Sequence, residues 1–170
     1  MAEHHDIIII GAGPGGIAAA VKAKEADKSY VVLEKGARAM QGIIDSYPKG
    51  KKVYPTIPKY LEGPFPIDGL TPPPEKIPVE AYVDQVEGFI RDADLNIRFG
   101  EEYRGLAEAP SGYVVNTDAG SYSGKSVIFA FGSNIPNDLG IYGEAKTVRR
   151  NLENPQDYIG ITTLVIGGGN

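Results

Sequence analysis

Six residues near the start, Gly11-Ala12-Gly13-Pro14-Gly15-Gly16, are poor in side chains and rich in backbone N–H groups. They follow the branched run Ile7–Ile10 and precede the apolar stretch Ile17–Val21. The spacing is G-x-G-x-x-G between a strand and a helix, and each glycine has its own physical task. Gly11 permits a tight turn off the strand. Gly13 lets a pyrophosphate approach the backbone. Gly16 lets the helix pack closely on the strand. The helix N-terminus offers free N–H groups and a partial positive charge to an anion. Pro14 suits the first helical turn, where its missing N–H is no loss. Glu34 lies 18 residues beyond Gly16, at the end of the next apolar run. A carboxylate there accepts both hydroxyls of an adenosine ribose and repels a 2′-phosphate, which argues against NADP at this first site. Gly11, Gly13, Pro14, Gly15, Gly16, Glu34 and the adjacent Lys35 are the candidate dinucleotide contacts.

Other residues carry less chemistry. The 170 residues contain no cysteine, so no disulfide, thiolate nucleophile, redox dithiol or cysteine-ligated cluster resides in them. His4 and His5 are the only histidines, and we expect a solvated N-terminus rather than a metal site. Glu101 and Glu102 are adjacent, so in a strand they point to opposite faces and make a poor acid–base pair. Lys49, Lys51 and Lys52 lack the spaced glycines of a phosphate loop. A solvated loop is the default there, and a basic surface for an acidic substrate or protein is the alternative. Arg149 and Arg150 read as linker charges. With 17 basic and 22 acidic residues the net charge is −5, which disfavours broad binding to nucleic acid or anionic lipid. The uncharged stretch Ile7–Val21 is short for a membrane span and lacks the basic flank of a signal peptide.

The elements that must position these residues follow from pattern. Ile7–Ile10 and Tyr30–Leu33 read as parallel strands buried on both faces, joined by a helix opened by Pro14. Residues 36–78 read as a long excursion with little regular structure, because eight of the 13 prolines lie between Pro55 and Pro78. Pro78–Ala93 is an amphipathic helix, with Val79, Tyr82, Val83, Val86, Phe89 and Ile90 at helical spacing. "LNIRFG" is a short strand, "GYVVNTDAGSY" a hairpin, and "SVIFAFG" a buried strand ending in glycine. A β-meander is thus expected between Tyr103 and Phe131, before the chain re-enters the parallel sheet. A final strand is expected at Ile161–Ile166.

Taken with "GAGPGG…VVLEKG", two later stretches carry a resemblance. "SVIFAFGSNIPNDLGIYGE" resembles the strand, Ala-Thr-Gly, proline and Gly-Glu of the two-dinucleotide-binding-domain flavoproteins, with Phe131 in place of the threonine. "NPQDYIGITTLVIGGGN" resembles the strand and turn that open the NAD(P)H-binding domain of that group. Within the group the chain is most similar to the thioredoxin reductase-like branch, which includes bacillithiol-disulfide reductase-like proteins and ferredoxin–NADP reductases of this fold.

The resemblance implies an α/β fold: a Rossmann-like parallel sheet (an FAD/NAD(P)-binding domain) in a three-layer arrangement, with an inserted antiparallel β-meander. It implies residues 1–145 as the N-terminal part of an FAD-binding domain. Residues 146–170 become a linker and the first strand and turn of an NAD(P)H-binding domain, the front of a longer enzyme. It adds Ala130 and Gly132 to the FAD contacts and places Tyr103 beside the adenine, where a core aromatic is the equal alternative. Gly167 and Gly169 become the first glycines of the second motif. The complete enzyme is expected to pass hydride from NAD(P)H to FAD and onward to an acceptor: a disulfide, a ferredoxin-like protein or a small molecule. No residue here is marked as catalytic. A flavin monooxygenase-like enzyme and a non-catalytic dinucleotide-binding module are the alternatives. A cytoplasmic location without nucleic acid or membrane partners is expected, and a homodimer of the complete enzyme is compatible with the resemblance.

Overall fold

The structure, a computed structural model, describes residues 3–54, 75–132, 140, 149 and 154–165. Two compact units emerge, Met1–Asn134 and Ile135–Asn170.

In the first unit the branched run after Glu3 forms strand β1, Glu3–Ile10. Helix α1 spans Pro14–Glu25, with Pro14 in its first turn and Gly13 at its N-cap. Strand β2 is Tyr30–Glu34, buried along its whole length. A short helix α2, Gln41–Ser46, follows. Strands β3, Lys52–Val53, and β4, Ile77–Pro78, pair antiparallel in a small separate sheet. Helix α3 is Val79–Asp92 and β5 is Ile97–Phe99. Strands β6, Tyr103–Ala109, β7, Gly112–Thr117, and β8, Ser121–Phe129, form the meander.

The main sheet has the order β5-β2-β1-β8-β7-β6. The pairs β5–β2, β2–β1 and β1–β8 are parallel, whereas β8–β7 and β7–β6 are antiparallel. Side chains alternate across β1 and β2. Ile9 and Val32 enter one core with Ile17 and Ala20 of α1 and Val83 and Val86 of α3. Ile8, Ile10, Val31 and Leu33 enter a second core with Val115 and Tyr122 of the meander. The layers are therefore helices, sheet and meander, a Rossmann-like arrangement.

The described part of region 36–78 carries little regular structure, as expected: α2 and the two-residue strands β3 and β4, while residues 55–74 fall outside the described ones. Three expectations in this unit need correction. The N-terminus is not solvated throughout. His5 is buried and its Nε2 lies 3.1 Å from Glu3 Oε1, because β8 is long enough to pair with residues 3–5. The meander and the returning strand are one element. β8 pairs with β7 through Ser121–Gly124 and with β1 from Tyr122 to Phe129. Its end is not buried either: Ile128 and Phe129 are exposed, since β7 does not extend beside them.

In the second unit, Pro155–Tyr158 is a turn of 3-10 helix. Asn154 caps it, its side-chain oxygen accepting from the Gln156 N–H at 3.1 Å. Residues 161–165 are not a strand, contrary to expectation. No strand among the described residues pairs with them, and Leu164 and Val165 are 84% and 77% exposed. A parallel strand without neighbours leaves its N–H and C=O groups unpaired, so the apolar run alone does not make one.

Candidate dinucleotide site

The four parallel strands all end at one edge, at Ile10, Glu34, Phe99 and Phe129. From β1 the chain runs through α1 to β2 on one side, while β8 closes on the other. The carboxyl edge beside β1 is therefore the switch point where open α/β sheets place ligands.

Backbone bonds stitch the glycine turn to both neighbours. Gly11 N donates to Leu33 O at 2.8 Å, and Ala130 N donates to Ile10 O at 2.8 Å. Gly11 has φ +102, and a Cβ there would lie 2.8 Å from Ala130 O. A side chain is excluded on both counts. A Cβ on Gly16 would fall within the radius of Gly11 O, so α1 packs on β1 only because Gly16 has none. Gly13 differs: a Cβ there meets only Ala130 O, at 3.9 Å. Its free space faces outward, beside the exposed Pro14 and Gly15. The three glycines thus divide into two that the fold needs and one that leaves room.

Glu34 is 8% exposed, and each of its oxygens is engaged. Oε2 accepts from the Ala12 N–H and Oε1 from the Gly36 N–H, both at 2.7 Å. A carboxylate has about four acceptor positions, so these two backbone bonds use half of them. Gly36 is required nearby, since a Cβ there would lie 2.6 Å from Gln41 Cβ and 3.0 Å from Glu34 Oε1. Lys35, next along the chain from Glu34, is exposed.

Beyond Ala130, Phe131 is 62% exposed and Gly132 has φ +71. Tyr103 is half-buried against the second core and meets Phe129 edge to face at 5.6 Å, and Phe129 meets Phe131 in the same way at 5.6 Å. The packing alternative for Tyr103 is thereby present. Gly167 and Gly169 lie outside the described residues.

Sequence reasoning missed three contributors. Met40 sits in the left-handed region at φ +60, buried, its N–H on Ala12 O at 3.1 Å. Arg38 holds the same segment to α3. Its Nε and Nη2 reach Glu87 at 2.8 and 2.9 Å, and Nη2 also reaches Asp84 at 2.9 Å. Glu101 is not an exposed surface acid. Its carboxylate accepts the Tyr122 hydroxyl, 2.8 Å from each oxygen, and lies 3.2 Å from Thr117 Oγ1. Burial, then the bond and charge of Glu101, push the Tyr122 phenol up to about 12, so it stays a proton donor. Glu102 faces elsewhere, paired with Arg104 at 2.8 Å, as adjacency in an extended chain requires. Lys49, Lys51 and Lys52 are exposed around β3. Among the described residues no cluster of metal-ligating side chains occurs, and no helix is long and apolar enough to cross a membrane.

The family described as pyridine nucleotide-disulphide oxidoreductase matches residues 8–170. The chain belongs to that family. Its match takes in the glycine turn, Glu34 and the strand ending at Phe129. Similar proteins include the uncharacterized oxidoreductase CzcO of Bacillus subtilis, 24% identical over 98% of this chain and 49% of its own length. A dihydrolipoyl dehydrogenase of Acholeplasma laidlawii is 26% identical over 99% of this chain and 54% of its own. Family member and relatives therefore differ in extent: the chain spans about half the length of the curated relatives it matches. Among solved structures, a bacillithiol disulfide reductase of Staphylococcus aureus superposes with a TM-score of 0.69 at 18% identity, covering 85% of this chain and 44% of that one. That likeness establishes the shared fold.

Proposed function

We propose that this chain is the FAD-binding part of an NAD(P)H-dependent flavoprotein oxidoreductase. The observation that carries the reading is the pairing, on one sheet edge, of an open backbone at Gly13 with a buried, doubly held carboxylate at Glu34. The first suits a pyrophosphate at the N-terminus of α1, and the second suits the diol of the adenosine ribose. Both are the chemistry of an ADP half. Residues present fit the group: Gly13, Gly15 and Gly16 would hold its phosphates, Glu34 its ribose, and Ala130 and Gly132 would flank it. Lys35, exposed next to Glu34, adds a positive charge beside the proposed site.

When bound, FAD supplies hydride acceptance and onward electron transfer, and the protein sets its position and surroundings. Within this chain the residues bind and orient. Glu34 disfavours a 2′-phosphate by charge, so this first site is reserved for a nucleotide with a free diol. With no cysteine, the chain supplies no thiol to a disulfide acceptor. Any such thiol belongs to the substrate or to further polypeptide. Gly167 and Gly169 would open the NAD(P)H site.

The test is the visible spectrum of the purified chain after incubation with FAD, with the released cofactor identified. Near-equimolar, saturable FAD supports the reading. A folded chain that takes neither FAD nor ADP overturns it.

A further inference from the structure

The turn from β5 to β6 is clamped on two sides. On one side Gly100 N donates to Gly36 O at 3.0 Å and Glu101 N donates to Glu34 O at 2.9 Å. Those two acceptors belong to the two residues that form the carboxylate site, since the Gly36 N–H also holds Glu34 Oε1. On the other side the Glu101 carboxylate is fixed by the Tyr122 hydroxyl and lies beside Thr117 Oγ1. Tyr122 is buried in the second core with Ile8, Ile10 and Val115, so its hydroxyl is anchored by packing rather than by a mobile side chain. Gly100 has φ +73 and nothing near the place of a Cβ, and Glu102, the residue after Glu101, is tied to Asp118 rather than to the carboxylate site, so the bracing of Gly36 and Glu34 falls to Gly100 and Glu101.

We infer that Glu101, locked by Tyr122, is a positioning residue for Glu34. It braces Gly36 and Glu34 so that the open acceptor positions of the carboxylate meet a ribose diol. This rests on the dinucleotide reading above and goes beyond it by assigning a role to a pair that touches no cofactor. The route is short: hydroxyl to carboxylate, backbone of Glu101 to backbone of Glu34, and Gly100 through Gly36 to Oε1. A loosened turn lets the Gly36 amide drift from Oε1, and the carboxylate then swings. A purely structural role for Tyr122 predicts something different, namely equal weakening of every ligand.

The ligand itself separates the two. ADP carries the diol, and 2′,3′-dideoxy-ADP lacks it while keeping base and phosphates. Calorimetric titration of the 170-residue chain is expected to show ADP bound about tenfold more tightly than the dideoxy compound. Tyr122→Phe is expected to weaken ADP by about fivefold and the dideoxy compound by less than about twofold, because a loosened turn misplaces only the carboxylate that would meet the diol. Glu101→Gln still accepts the phenol proton through its amide oxygen and is expected to retain the wild-type ratio. If Tyr122→Phe fails to fold, Glu101→Asp withdraws the carboxylate by one methylene and the same ratio decides. An unchanged ratio in Tyr122→Phe, or in Glu101→Asp where it stands in, which is the same as equal weakening of both ligands, overturns the positioning role and leaves the dinucleotide reading standing. No saturable ADP binding by the unsubstituted chain overturns that reading, and the positioning role falls with it.

Discussion

The Ala12 N–H points at Glu34 Oε2 across 2.7 Å, so the glycine turn after β1 and the acid at the end of β2 are one unit. The turn cannot move without disturbing the carboxylate. Glu34→Gln should expose this coupling. The substituted amide can present its oxygen to only one of the two backbone N–H groups, leaving a donor facing a donor. Loss of about 1–3 kcal/mol of stability is expected, together with weaker ADP binding. Urea denaturation with and without ADP measures both. An unchanged midpoint would mean that the two backbone contacts contribute nothing.

Gly13 and Gly16 should separate binding from folding. Gly13 has φ −78 and open space, so Gly13→Ala should change stability by no more than about 1 kcal/mol while obstructing phosphate approach. Gly16→Ala places a methyl against the Gly11 carbonyl, and backbone cannot yield as a side-chain tip can. A loss of about 3 kcal/mol or more is expected, a large part of a small domain's stability. Circular dichroism melts and ADP titration of the two variants check the contrast. Equal effects of the two substitutions on folding would refute the division of roles.

Much of this was legible in the sequence. The branched run, the glycine spacing and Glu34 are local signals, and α3 announces itself by helical spacing of Val79, Tyr82, Val83, Val86 and Ile90. What stayed hidden depends on partners far along the chain. Helix α2 has no side-chain cap, and its start is set by the Met40–Ala12 backbone bond. Arg38 finds Asp84 and Glu87 on a helix about fifty positions away, and no periodicity marks such a pair. The continuity of β8 was missed because alternation says that a strand exists, not which neighbour it takes. The role of Glu101 was not legible because its partner, Tyr122, is brought beside it only by the register of the meander.

Arg38 offers a salt-dependent test. Its guanidinium meets Glu87 through two nitrogens, but the side chains are partly exposed, so solvent screens the pair. Arg38→Ala should lower stability by about 0.2–1 kcal/mol at low salt, with the difference shrinking as ionic strength rises. A double-mutant cycle with Glu87→Ala isolates the pair. A loss that persists at high salt would point to packing of the arginine stem instead.

Acid sensitivity should centre partly on Asp6. Its carboxylate takes the Lys125 ammonium at 2.7 Å and the Ser29 hydroxyl at 2.8 Å, and these hold its pKa well below the usual carboxylate range. A carboxyl depressed in the folded state contributes stability that is fully present above its unfolded value. That contribution is lost as pH falls through the folded value. Stability should therefore decline from about pH 4 downward, and less steeply in Asp6→Asn. Denaturation midpoints between pH 2 and 6 decide; parallel curves for the two proteins would exclude Asp6 as a contributor.

Tyr122 should act at the other end of the scale. Its phenol is pushed up to about 12 by burial and by Glu101, above the ordinary value of 10. A raised pKa means that the native state favours the protonated form, so the added stability is whole below about pH 10 and disappears as pH rises through 12. The same proton is the one donated to Glu101. Burial raises the Tyr30 phenol as well, so ultraviolet titration near the tyrosinate band should show late ionisation, and Tyr122→Phe should remove one tyrosine's share of it. Because deprotonation places a phenolate against a carboxylate, ADP affinity should fall over the same range of pH, if the chain remains folded there, while dideoxy-ADP affinity stays level. A late amplitude undiminished in Tyr122→Phe would show that the phenol facing Glu101 is not held protonated.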